Sequence, residues 1–145
     1  MSESMTRRAV VVAGIATAMA PAMTLAGPTP ASKDAYLYII WPNEGEKIKG
    51  AFWCRFGLRN MGVTRAGDKT PGVGHHHLFI DVDEKLEPNE PIPQDKKHLH
   101  FGAGQTEVRL ELPPGPHTLQ LVLADADHIP HNPPIVSRKI HITVS

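Results

Sequence analysis

The sequence predicts an all-β fold: an immunoglobulin-like antiparallel β-sandwich of about seven strands, preceded by an N-terminal signal peptide. Three observations point there. Apolar and polar residues alternate with a period of two along most of the chain after residue 35. No stretch beyond the first 26 residues sustains the 3.6-residue helical period. Gly, Pro, Asn and Asp interrupt the chain at strand-length intervals. Six or seven short strands in a chain of this size suit a sandwich, with a β-barrel or jelly roll as the alternative.

The first 26 residues read as a signal peptide. Arg7 and Arg8 provide a positive start, Ala9 to Ala20 an apolar run, and Thr24-Leu25-Ala26 a small-x-small cleavage site before Gly27. The run is too short to span a bilayer. The Arg7-Arg8 pair also fits the twin-arginine route, which exports folded proteins. The expected location is therefore the periplasm, or another exported site. Residues 27–35, opening Gly-Pro-Thr-Pro, form a Pro-rich tether expected to lack structure of its own, and 36–145 form the domain.

Within the domain, Tyr36 to Trp41 is β-branched and aromatic and ends at Pro42-Asn43-Glu44-Gly45. Phe52, Cys54, Phe56 and Leu58 share one strand face. His76, Leu78, Ile80 and Val82 alternate with His75, His77, Phe79 and Asp81. Val108, Leu110 and Leu112 form an inward row against Glu107, Arg109 and Glu111, and Leu119, Leu121 and Leu123 repeat the pattern. The last strand sets Val136, Arg138, Ile140, Ile142 and Val144 against Ser137, Lys139, His141 and Thr143. The connections from Asn60 to Gly74 and from Asp83 to Lys97 are long, and both flank histidine clusters.

Removal of the leader leaves 119 residues with thirteen basic and fourteen acidic side chains. That balance offers no basic stripe, so nucleic acid is not an expected partner. No second apolar segment reaches membrane length, so no membrane span is expected in the mature form. Cys54 is the lone cysteine, has core parity and reads as buried and inert; it cannot form an internal disulfide. Met61 is the single methionine after the cleavage point, which argues against a thioether copper site.

All nine histidines lie in the mature part, most of them in three clusters: His75-His76-His77, His98-Leu99-His100, and Asp125-Ala126-Asp127-His128-Ile129-Pro130-His131. On a strand, residues two apart project from one face about 6.5–7 Å apart. Their imidazoles can then lean onto one ion with bonds near 2.0–2.1 Å. The candidate metal ligands are His75, His77, His98 and His100, with His128 and His131 closing over the same end. The ions suited are Zn²⁺ and Cu²⁺, that is, zinc or copper(II). Asp81, Asp125 and Asp127 are candidate ligands or partners for the second imidazole nitrogens. His76 has core parity, and His117 and His141 read as isolated structural histidines.

Other motifs fall away. Gly102-Ala103-Gly104 is followed by no Gly-Lys-Ser/Thr, so it is no phosphate loop. A cupin remains the minority alternative, since its pattern misses at both spacings: Glu107 follows His100 by seven residues, and the turn reads Pro113-Pro114-Gly115-Pro116-His117. The carboxylates show no acid/base pair, and no catalytic residue is assigned.

The stretches Gly74 to Asp81, His98 to Glu107, Pro114 to Leu121 and Asp127 to His131 resemble, in that order, the bacterial family called domain of unknown function 4399. The resemblance spans residues 36–144. It implies a small exported envelope protein and carries no activity with it. Three readings follow: a periplasmic metal-binding module, served by an unknown protein or metal-handling partner; a structural or interaction module without metal; and a metal-dependent enzyme with Glu107 or Asp81 as base.

Overall fold

A computed structural model describes residues 28–145; the proposed signal peptide lies outside the described residues. The described chain is a two-sheet β-sandwich without helices. Its strands are β1 (Tyr36–Trp41), β2 (Lys47–Ile48), β3 (Phe52–Arg59), β4 (Gly62–Val63), β5 (Val73–Ile80), β6 (His98–His100), β7 (Glu107–Leu110), β8 (Gly115–Ala124) and β9 (Ile140–Val144). Apart from the two-residue β2 and β4 these are seven strands, the expected number.

One sheet runs β1-β3-β7 and is antiparallel throughout. The other runs β2-β9-β8-β5-β4, with β6 also on β5. The free edge of β5 is shared: β4 pairs parallel with Val73 and Gly74, and β6 pairs antiparallel with His77, Leu78 and Phe79. This sharing sets the histidines of β5 and β6 side by side.

The alternation read from the sequence makes the core. Leu37, Phe52, Cys54, Phe56 and Leu110 from the first sheet meet Leu78, Ile80, Leu119, Leu121, Leu123, Ile140, Ile142 and Val144 from the second. Each large aliphatic side chain buried there contributes roughly 1.5–3 kcal/mol. The Cys54 thiol is fully enclosed, and burial pushes it up to about 12, which keeps it an inert thiol.

The second sheet also carries a layer on its outer face. Phe79, Val82, Val122 and Ala124 pack with Ile92 and Leu86 from the connection between β5 and β6. Gly74 to Ile80 are consequently buried on both sides. By contrast, the outer face of the three-stranded sheet leaves Tyr36, Ile40 and Trp53 exposed.

Two local expectations change. Thr29 to Ala31, in the segment expected to be a structureless tether, run beside Asn132: Ala31 N donates to its carbonyl at 2.9 Å and Asn132 N to Thr29 O at 2.9 Å. The last strand does not run unbroken from Val136. Ser137 Oγ accepts the Leu121 amide at 2.8 Å and donates to the Arg138 carbonyl at 2.9 Å, and regular pairing resumes only at Ile140. The inward row shifts with this break, so Ile135 is buried and Val136 exposed.

Candidate metal centre

Strand parity decides which histidines can meet. His76 points inward, its ring edge against Phe56 with centroids 5.2 Å apart, as its parity with Leu78 requires. His75 and His77 project from the opposite face, and their Nε2 atoms lie 3.1 Å apart. His100 stands directly across from His77 in the β5–β6 register.

The fourth ring comes from a loop. His128 has φ +67°, a left-handed conformation that costs a non-glycine residue about 1–3 kcal/mol and persists only where its surroundings enforce it. Asp125 does much of the enforcing. Its Oδ1 accepts the amides of Asp127 at 2.9 Å and Ile129 at 3.0 Å, while its carbonyl accepts the His128 amide at 3.1 Å. Its Oδ2 takes the Thr29 hydroxyl at 2.7 Å. The His128 carbonyl is in turn held by the Ile92 amide at 2.9 Å. His128 Nε2 thereby reaches 3.1 Å from His100 Nε2.

Four imidazoles from three separate segments therefore converge. Ring centroids are 5.0 Å apart for His75–His77 and His75–His128, and 5.1 Å for His75–His100 and His77–His100. They are 4.8 Å apart for His100–His128 and 6.0 Å for His77–His128. His75, His100 and His128 each offer a ring nitrogen within 4.8 Å of the others, a grouping that suits a metal ion, and His77 joins them through its contact with His75.

The electrostatics favour the form a cation needs. Burial, reinforced by the neighbouring imidazoles of His128 and His100, lowers His75 to about 4. Burial and then His75 lower His77 to about 3, and His100 is lowered by burial and by His128. These three rings are neutral at pH 7, with lone pairs available for coordination. The Nδ1 atoms of His75 and His77 are buried and have no hydrogen-bond partner among the described residues.

Two predicted ligands stand elsewhere. His98 shares the correct face but lies opposite Phe79, not His77. Its ring packs on Phe79 with centroids 4.7 Å apart, and its Nδ1 is 2.9 Å from Asp95 Oδ1. One two-residue step along β6 removes it from the group. His131 is fully buried with its nitrogens facing the carbonyls of Leu123 at 3.4 Å and Val73 at 3.3 Å. Its ring fits because residue 74 is glycine: a Cβ there would come within 2.9 Å of His131 Cε1.

The acidic candidates are also placed. Asp125 shapes the loop under His128. Asp127 lies 3.9 Å from Lys69. Asp81 binds His117, and Glu107 binds Arg55 on the other sheet at 3.2 Å. The role of Gly102 is invisible to motif reading: a Cβ there would collide with the His100 ring, lying 2.6 Å from its Nε2.

No helix among the described residues is long and apolar enough to cross a membrane. Neither the curated proteins nor the solved structures provide a match to the chain. The sequence profile of a domain of unknown function (DUF4399) does match, over residues 54–145, a span that holds all four converging histidines and the Asp125 loop. By that match the chain belongs to the DUF4399 family.

Proposed function

We propose that this protein is an exported, envelope-located metal-binding module whose ion is held by His75, His77, His100 and His128. One observation carries the reading: four imidazoles from β5, β6 and the β8–β9 connection converge, with two Nε2–Nε2 separations of 3.1 Å. Ligand bonds of 2.0–2.1 Å in tetrahedral geometry would set neighbouring nitrogens about 3.3 Å apart. The expected neutrality of the rings supports the same reading. Export rests on the leader pattern of Arg7 to Ala26.

The test is metal content. Protein purified from the exported fraction should carry about one equivalent of divalent metal by elemental analysis, with one ion per site. His75→Ala/His100→Ala should abolish it, and His98→Ala should leave it intact. A second reading has its own observation: 3.1 Å is also a hydrogen-bond distance, so neutral rings could pair Nε2–H to Nε2 without an ion. Metal-free protein whose melting temperature ignores both added metal and chelator would favour that structural or interaction module. The enzyme reading lacks a positioned base, because Asp81 and Glu107 are engaged with His117 and Arg55.

A further inference from the structure

We infer that the site is a closed tetrahedral four-imidazole centre of the Zn²⁺ type, which holds its ion without an open position for water or substrate. This rests on the metal-binding reading above and adds the coordination geometry. An imidazole bound through nitrogen at 2.0–2.1 Å puts its ring centroid about 3.2 Å from the metal. Four such rings in a tetrahedron have all six centroid separations near about 5.2 Å. In a square-planar centre four separations shrink to about 4.5 Å and two opposite ones grow to about 6.4 Å.

The six measured separations run from 4.8 to 6.0 Å. The long one, His77–His128 at 6.0 Å, is decisive through its complement. In a square arrangement the other diagonal, His75–His100, would have to be equally long. It is 5.1 Å, no longer than the edges. The ring centroids therefore describe an opened tetrahedron, the geometry preferred by Zn²⁺ and not by Cu²⁺. Nitrogens of His75, His100 and His128 lie within 4.8 Å of one another, and His77 enters as the fourth ligand from beside His75.

Location agrees with a held ion. His75 and His77 are fully buried, with the Asp125–His131 connection bringing His128 beside them, while His100 and His128 are half-buried. Four neutral protein ligands complete a tetrahedral shell, the pattern of closed structural sites. Catalytic sites instead keep three protein ligands and a water.

Cobalt(II) substitution tests the geometry directly. The full exported protein, stripped with chelator and titrated with Co²⁺ alone, should bind one equivalent and develop the intense visible d–d bands of tetrahedral cobalt. One equivalent of Zn²⁺ should then erase them. Added azide should leave the wild-type spectrum unchanged, since no position is open, and a wild-type spectrum that shifts with azide would overturn the closed centre. His77→Ala should still bind Co²⁺ through the remaining three rings but gain a spectrum that shifts with azide. His128→Gln, on the half-buried side, provides a second variant with the same expectation should His77→Ala not fold. Bound Co²⁺ with a weak six-coordinate spectrum would overturn the closed tetrahedral centre while leaving metal binding standing. Folded wild-type protein that binds neither Co²⁺ nor Zn²⁺ would overturn both.

Discussion

The imidazole of His100 lies against the α-carbon of Gly102, in the space a side chain at 102 would occupy. Gly102 does not adopt a positive φ, so alanine is acceptable to the backbone there and the conflict is with the ring alone. Gly102→Ala should therefore leave the fold in place and displace one ligand. Isothermal titration with Zn²⁺ should show affinity lowered on the order of 10–100-fold, the range seen when a ligand's support is removed. Unchanged affinity would mean that His100 does not bind the ion in this orientation.

Asp125 holds the His128 loop through side-chain bonds to two amides and the Thr29 hydroxyl. Burial works to raise its pKa, but these hydrogen bonds prevail and hold it below the usual carboxylate range. Asp125→Ala should cost about 2 kcal/mol in urea unfolding, as expected for lost bonds to a charged group. It should also weaken metal binding by releasing His128. Asp125→Asn retains an acceptor oxygen and should recover part of both effects.

The buried histidines make the fold acid-sensitive. His75 and His76 are lowered to about 4 and His77 to about 3, in each case chiefly by burial. Unfolded histidine titrates near 6.5, so below that pH the unfolded chain takes up protons that the folded chain refuses. Stability should be full above pH 6.5 and fall steadily towards pH 4, by up to about 1.4 kcal/mol per pH unit for each uncoupled group. Urea midpoints of metal-free protein across this range measure it.

His76 isolates one component of that response. Its ring nitrogens are both buried without partners, and it lies in the core beside Phe56. His76→Leu replaces an unsatisfied polar ring with an apolar group of similar size. The change should stabilise the protein by about 1–2 kcal/mol at pH 7 and flatten the acid limb. A destabilised variant would show that the ring has a polar partner in solution.

His117 has the opposite sign. Its Nδ1 is 2.8 Å from Asp81 Oδ2 and its Nε2 is 2.8 Å from the Pro113 carbonyl, so both nitrogens face acceptors. Burial opposes its charge, yet the bonds to Asp81 and Pro113 raise its pKa. Its contribution is full below pH 6.5 and is lost as pH rises through the raised value. NMR titration of the ring protons should place His117 above 6.5, and Asp81→Asn should lower it.

Strand parity made much of this legible in the sequence. It correctly placed His76 with Leu78 in the core and His75 with His77 on the outer face, because side-chain direction follows from residue number alone once a strand is assigned. It could not say which residue of β6 stands opposite His77, since register comes from pairing. Sequence alone therefore does not separate His98 from His100, and the β5–β6 register does. His131 and His128 were equally ambiguous, because a loop obeys no period and the choice depends on Asp125 and the gap left by Gly74. The final strand misled for a related reason: Ser137 interrupts a ladder that the pattern Val136 to Val144 makes look continuous.

The convergent rings lie at positions 75, 77, 100 and 128, far apart along the chain. A cation gripping all four would close one covalent-like loop from β5 to β6 and a second from β6 to the β8–β9 connection. In the chain-entropy picture of cross-links, each loop of that size restricts the unfolded chain by an amount worth about 3.5 kcal/mol. Cys54 is unpaired, so this domain has no disulfide to serve that purpose. The ion would be its staple, and demetallation would loosen the molecule much as reduction loosens a disulfide-bonded protein.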